Sequence, residues 1–382
     1  MGRPYDVVVA GGSIAGLAFA AEAAKRGISV LVAEEHEEIG EPEKCDGLVS
    51  LRGLRRYGYE PEKEVVQNQI ASGAVHSSFG RDLVVNATAL DVVVLDRSAY
   101  DKQVCEKAES WGATVRTGTR VTGCRETEDG VSVKVGEETL EAKYYVDATG
   151  PASSPRRGII PAAKYEIEGD WIKERVVEVF LDVEKYPGFF AWVIPFGPGL
   201  AKVGAAGRGL HGFRALDSFL HSRPHKVIRK VSAPIYVGGP AESFVSGRRI
   251  LVGESAGQVK PTTAGGIMTS LAGSVIAARW VSDSLQLNDR SLVNSYQSDW
   301  EERFLKEMKS MLRLRSVIDK MSNKDLDSIL AAVSTPKLVT RLSQSDFDFH
   351  ATALLGALGV TGLLKVARVV ASAEAKSLLL GS

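Results

Sequence analysis

Sulfur, histidine, net charge and long apolar runs are all scarce in this chain. Cys45, Cys105 and Cys124 are odd in number and form no C-x-x-C pair. That argues against a disulfide framework and a zinc site, and for a reducing compartment. Of six histidines only His221 and His225 stand at helical ligand spacing. Pro224 lies between them with no acid close by, so the pair reads as a surface turn and no metal is expected. Lys+Arg and Asp+Glu both number 47, which leaves no global field to recruit nucleic acid or an acidic membrane. Residues 351–364 are 14 in number and free of charge, short of the roughly 20 that span a bilayer. The N-terminal apolar run reads as a strand and not as a signal peptide. No internal repeat stands out, and neither does a second nucleotide fingerprint. Gly197-Pro-Gly199 lacks a third glycine and a following helix, so it reads as a turn.

What is present begins at residue 6. Residues 6–10 form a β-branched run short enough for a buried parallel strand. Gly11, Gly12, Ser13, Ala15 and Gly16 follow, then an Ala-rich helix over 17–26 that stops at Gly27, a natural C-cap. A second buried strand over 29–32 ends at Glu34 and Glu35. This βαβ spacing with an acid after the second strand suits an ADP-containing dinucleotide. The helix N-terminus would meet the pyrophosphate, and Glu34 would accept hydrogen bonds from the adenosine ribose. Ser13 stands where the fingerprint has its second glycine.

The 382 residues suffice for two sizeable cores. The expected fold is α/β, a Rossmann-like dinucleotide-binding domain interleaved with an antiparallel-sheet substrate domain, plus C-terminal helices. Residues 1–155 would start the cofactor domain, with a β meander near 65–95. Residues 156–246 would be the substrate sheet. Residues 247–288 would complete the cofactor domain, and 289–382 would be helical. Within this frame, residues 97–111 read as a helix, and 114–150 as a strand, a hairpin turning at Asp129–Gly130 and a return strand ending at 147–150. Residues 190–196 and 201–205 read as a second hairpin. A late strand at 248–253 precedes a helix over 267–281.

Five features together resemble the FAD-dependent geranylgeranyl reductase family, in the p-hydroxybenzoate-hydroxylase fold group. The first is the glycine motif with Glu34. The second is Arg97, where the fold group's arginine contacts FAD. The third is DATGPASSPR (residues 147–156), similar to A-D-G-x-x-S-x-x-R and containing Gly150, with Thr149 in place of its aspartate. The fourth is GESAGQVKPTTAGGI, with Gly253, Glu254, Gly257, Gly265, Gly266 and Ile267, similar to the G-D-x-x-G motif with Glu for Asp. The fifth is PGFFAWVIP (residues 187–195), similar to P-x-x-Y-x-W-x-F-P, with Phe190 for Tyr and Ile194 for Phe.

The resemblance implies bound FAD and a polyprenyl-lipid substrate whose isolated double bonds are saturated. It leaves the electron donor open among NAD(P)H, ferredoxin and others. It also places Cys45, in a loop after the second strand, on the substrate side of the cofactor, with Phe190 and Trp192 on a tunnel wall. An unpolarised double bond cannot take up a lone hydride, so a proton must arrive with it or before it, in a dry site. Cys45 or a water are candidate sources. Two other readings stay open. One is a monooxygenase or halogenase, the latter needing a lysine beside a tunnel. The other is a flavin- and lipid-binding protein without turnover. The C-terminal stretch, with Gly356, Gly359 and Gly362, reads as packing or shallow membrane contact. The expected location is cytoplasmic, peripheral to a membrane.

Overall fold

The structure is a computed structural model describing residues 5–153, 158–349 and 351–352. Its first sheet has six strands in the order Val245–Ser246, Arg249–Leu251, Tyr144–Asp147, Val7–Ala10, Val30–Ala33, Thr114–Arg116. All neighbours are parallel except the first pair. The three central strands are buried along their whole length, which is why they are apolar runs and do not alternate. Val7, Val9, Val30 and Val32 face the helices Ile14–Lys25, Arg97–Ser110 and Ile267–Gln286. Val8, Ala10, Leu31 and Ala33 face a three-stranded antiparallel sheet through Val131, Val133 and Val135.

The second sheet has seven strands in the order Lys226–Ser232, Ala162–Glu168, Leu200–Ala206, Ala191–Gly197, Val176–Leu181, Ser72–Ser77, Asp82–Asn86. Only Val176–Leu181 with Ser72–Ser77 is parallel. One face packs Tyr165, Val193 and Val203 on the helix Gly212–Leu220. The other face carries Lys164, Glu166, Trp192, Ile194, Lys202 and Gly204, as the alternation of side chains along a strand requires. It is the face with the chemistry.

Several local expectations change. The β meander near 65–95 divides between two sheets. Val92–Leu95 pairs with Val66–Gln69 on one side and with Leu48–Ser50 on the other, while the hairpin between residues 72 and 86 extends the seven-stranded sheet. Strand partners are long-range, so local pattern does not reveal them. The stretch 114–150 has a further turn at Gly136, in the left-handed region, before its chain returns to the first sheet at Tyr144–Asp147. The hairpin over 191–206 forms as expected. The late helix runs on to Gln286, and the first long helix of the region 289–382 is Ser295–Ile318. Glu307 of that helix accepts hydrogen bonds from the amides of Ala351 at 2.7 Å and Thr352 at 2.9 Å. Arg156 and residues 353–382, with Gly356, Gly359 and Gly362, lie outside the described residues. Among the described residues no helix is long and apolar enough to cross a membrane, and no cluster of metal ligands occurs.

Candidate active site

The strand Val7–Ala10 ends at Gly11, whose φ of +105° suits glycine, and a Cβ there would lie 2.6 Å from the Ala148 carbonyl oxygen. A Cβ at Gly12 would lie 2.9 Å from Glu34 Cβ. The Gly12 amide donates to Glu34 Oε2 at 2.6 Å, and the His36 amide donates to Oε1 at 3.0 Å. At Gly16 a side chain would run into the Gly11 carbonyl. The helix begins at Ile14, three residues before the expected start, because Gly16 belongs to its first turn and not to the loop. Ser13 is the N-cap but does not cap with its side chain; its hydroxyl donates to Asp101 Oδ2 at 3.1 Å. The N-terminus is thus left without a side-chain cap, a ready site for an anion. Glu35 points away from this turn to Arg120, at 3.2 Å on the surface.

Two other segments close on the same turn. A Cβ at Gly253 would lie 2.6 Å from Ala15 Cβ. The Gly253 amide donates to Gln258 Oε1 at 2.9 Å, and Gln258 Nε2 donates to the Tyr296 hydroxyl at 2.7 Å. Gly150 donates from its amide to Ser255 Oγ at 2.9 Å, and its Cβ position is 3.9 Å from Glu254 Oε2. Gly257 turns with φ +67°. Gly265 and Gly266 lead into the helix at Ile267, whose N-cap Gly266 has no side chain to cap with. The structure therefore brings Gly150, Gly253 and Glu254 to the first glycine turn.

Arg97 is buried at the start of its helix. Its Nη2 donates to Asp101 Oδ1 at 2.6 Å, while its Nε finds no partner among the described residues. Burial disfavours its charge, yet Asp101 and then Cys45 push its pKa above the ordinary value. For Asp101 burial outweighs Arg97 and Ser13, so its pKa is raised. A buried guanidinium with an unpaired donor, two helix N-termini without side-chain caps and three glycines that admit no Cβ fit a bound dinucleotide such as FAD. Gly11, Gly12, Gly16 and the first helix would hold its pyrophosphate, and Glu34 its ribose.

The face of the second sheet opposite its helix is apolar at one end. Phe189 and Phe190 stack with centroids 4.0 Å apart, and both meet Trp192 edge-on. Trp192 and Ile194 join Leu48, Ala264 and Phe347 in one cluster. Trp192 has Gly204 opposite it on the next strand, and any Cβ at 204 would overlap the indole ring. The indole N–H donates to Asp46 Oδ2 at 2.8 Å.

At its other end this face is ionic, which the sequence reading missed. Lys202 is 1% exposed, and its ammonium lies 2.5 Å from Glu43 Oε1. Arg229 bridges Glu43 at 3.1 Å and Glu166 at 2.6 Å. The Lys164 ammonium donates to the Cys45 carbonyl at 2.9 Å and lies 3.4 Å from Asp46 Oδ1. Burial would push the Glu43 carboxyl up, but Lys202, Lys164 and Arg229 together hold it below the usual value. The signal was there in part: LAKVGAA places a lone lysine in an otherwise small or apolar strand, and AAKYEIE places Lys164 and Glu166 two apart, on one face of a strand.

A family model described as FAD binding domain matches residues 4–196, about half the chain. The digeranylgeranylglycerophospholipid reductase 2 of Methanopyrus kandleri is 31% identical over 368 residues, covering 86% of this chain and 90% of that one. A crystal structure of a geranylgeranyl bacteriochlorophyll reductase-like protein from Thermoplasma acidophilum superimposes with a TM-score of 0.87 at 23% identity, covering 97% of this chain and 98% of that one. The halogenase PltM gives a TM-score of 0.69 at 18% identity, over 91% and 86%. At these identities the two structures establish the fold.

Proposed function

The chain belongs to the digeranylgeranylglycerophospholipid reductase family and carries its FAD binding domain, and from that premise we propose that it saturates isolated double bonds in the geranylgeranyl chains of a lipid or lipid precursor. Bound FAD supplies the hydride. The chain's own residues bind, orient and dry the site. Phe189, Phe190, Trp192 and Ile194 offer an apolar wall to a prenyl chain, worth about 0.8 kcal/mol for each CH2 group fully buried. Cys45 and its loop border that wall through the Trp192–Asp46 hydrogen bond. The lipid substrate of the relatives supports a cytoplasmic protein with peripheral membrane contact.

The observation that carries the reading is the aromatic cluster of Phe189, Phe190 and Trp192 in one body with Leu48, Ala264 and Phe347. A halogenase needs a lysine free for its chemistry. The two buried lysines on this face, Lys164 and Lys202, are committed to carboxylates, which favours the reductase over the halogenase. The test is anaerobic. Chemically reduced protein is mixed with a geranylgeranyl lipid, flavin absorbance is followed, and the lipid is weighed by mass spectrometry. Reoxidation with a gain of two hydrogens per bond is expected. No reoxidation without oxygen, with an oxygenated product in air, would give the assignment to a monooxygenase. A colourless purified protein would reject every flavin reading.

A further inference from the structure

The loop over residues 41–47 belongs by sequence to the cofactor half, where Gly47 accepts from the Leu95 amide at 3.0 Å, yet its carboxylates Glu43 and Asp46 are held by cations of the other sheet. Three cations on three adjacent strands reach it: Lys164 on Ala162–Glu168, Lys202 on Leu200–Ala206 and Arg229 on Lys226–Ser232. Lys202 holds Glu43 at 2.5 Å and reaches the Asp46 carbonyl at 3.4 Å. Lys164 holds the Cys45 carbonyl, and Arg229 holds Glu43. Behind the loop, Arg97 donates to Asp101 at 2.6 Å and Asp101 receives the Ser13 hydroxyl at 3.1 Å.

We propose that Lys164, Lys202 and Arg229 are a positioning clamp by which the substrate sheet, and not the cofactor domain, sets the height of the Cys45 loop over the reacting face. The physical reason is the cost of burial. Lysine and glutamate are almost never fully buried unless paired, and here each stabilises the other only at one separation of loop and sheet. Moving the loop outward by the width of a water molecule would take Glu43 from a buried Lys202 whose strand neighbours are Ile194 on one side and Glu166, already bonded to Arg229, on the other, with Phe196 at 5.6 Å. Such a loop has one position and no intermediate ones. A group that borders the reacting bond gains from this, since small displacements there cost large factors in rate. The catalytic consequence rests on the reductase reading; the clamp itself does not.

The experiment is hydrogen exchange by mass spectrometry on purified, FAD-loaded Lys202→Met, with no lipid present. Exchange over residues 41–48 should quicken about tenfold, as expected for a local opening, while the sheet over 131–142 stays at wild-type rates. In turnover, kcat should fall about tenfold or more with KM little changed. Should Lys202→Met fail to fold, Lys202→Met with Glu43→Gln removes both charges and keeps the test. Its melting temperature should recover toward wild type while exchange over 41–48 remains fast. Loop exchange that is unchanged in the foldable variant, or quickened equally throughout the chain, overturns the clamp. Failure of lipid to reoxidise the wild-type flavin would sink the reductase reading and leave this exchange result standing.

Discussion

In the six-stranded, mostly parallel sheet the groups that face the glycine turn are backbone atoms and glycines; in the seven-stranded sheet they are long side chains on the middle of strands. The first arrangement suits a ligand whose phosphates are read by amides and a helix terminus. The second suits an apolar ligand beside a loop that must be held still. Glycine at 11, 12 and 16 makes the first site by leaving room. Lysine at 164 and 202 makes the second by filling it, with buried charge tied to a neighbouring loop. A site built of backbone has few substitutable parts and should fail abruptly. A site built of side chains should degrade by steps.

The largest expected effect tests the abrupt side. Gly11→Val places a branched side chain where a Cβ already meets the Ala148 carbonyl at 2.6 Å, at a φ of +105°. Purified protein should lack flavin absorbance altogether. A fully yellow variant would end the comparison on this side.

Next comes the ionic end of the other sheet. Lys202→Met leaves Glu43 buried against a missing partner. Breaking one side of a buried pair costs about 3–5 kcal/mol, and Arg229 on Glu43 should keep the loss near the lower end. Denaturant titration measures it. Lys202→Met with Glu43→Gln should lose clearly less than the sum of its single variants.

These two regions were unequally legible. The βαβ turn was readable because its information is local: Gly11 to Glu34 lie within one supersecondary unit, and the steric need for glycine shows in the letters themselves. The hairpin over 191–206 was readable for the same reason, its turn residues being adjacent. The clamp was not, because Glu43 and Lys202 meet only after the second sheet has formed, and no spacing rule links them. Asp101 was hidden likewise. It looks like a solvated helix residue, and only its contacts with Arg97 and Ser13 show that it is buried. Tyr296 was invisible as a support for the Gly253 turn for want of any motif.

A third test weighs the acid of the first unit. Glu34→Ala removes a carboxylate that accepts from the Gly12 and His36 amides. FAD affinity should fall by about 1–3 kcal/mol, the cost of hydrogen bonds lost at a partly buried acceptor, as read by titration of apoprotein. A loss much smaller than this would mean that the ribose is held elsewhere.

The pH dependence sharpens the other side. The Glu43 carboxyl is held below its ordinary value of 4.5. Its charged form therefore stabilises the fold fully above pH 4.5, and that stabilisation is lost as pH falls through the lower folded value. The stability gap between wild type and Glu43→Gln should be constant from neutrality to about pH 5 and close below 4.5. A gap that closed at higher pH would show that the cations are not its partners.

The smallest expected change is Trp192→Phe, which keeps the apolar body and loses the hydrogen bond to Asp46. It should cost about 0.5–1.5 kcal/mol. Trp192→Ala should slow lipid-driven reoxidation far more than it weakens FAD binding.

The pairing of Trp192 with Gly204 has a consequence for descent. The indole occupies the volume that any β-carbon at 204 would need, so the two positions share one space and cannot drift separately. Alanine at 204 is shut out for as long as tryptophan stays at 192, and a smaller residue at 192 opens a void that alanine at 204 partly fills. Change should therefore arrive as a pair, through an intermediate that is worse than either end. Trp192→Leu with Gly204→Ala ought to be more stable than Trp192→Leu alone, and Gly204→Ala alone the least stable of the three. Two letters twelve apart in the chain thus behave as a single inherited character, which resets the shape of the apolar wall whenever it is exchanged.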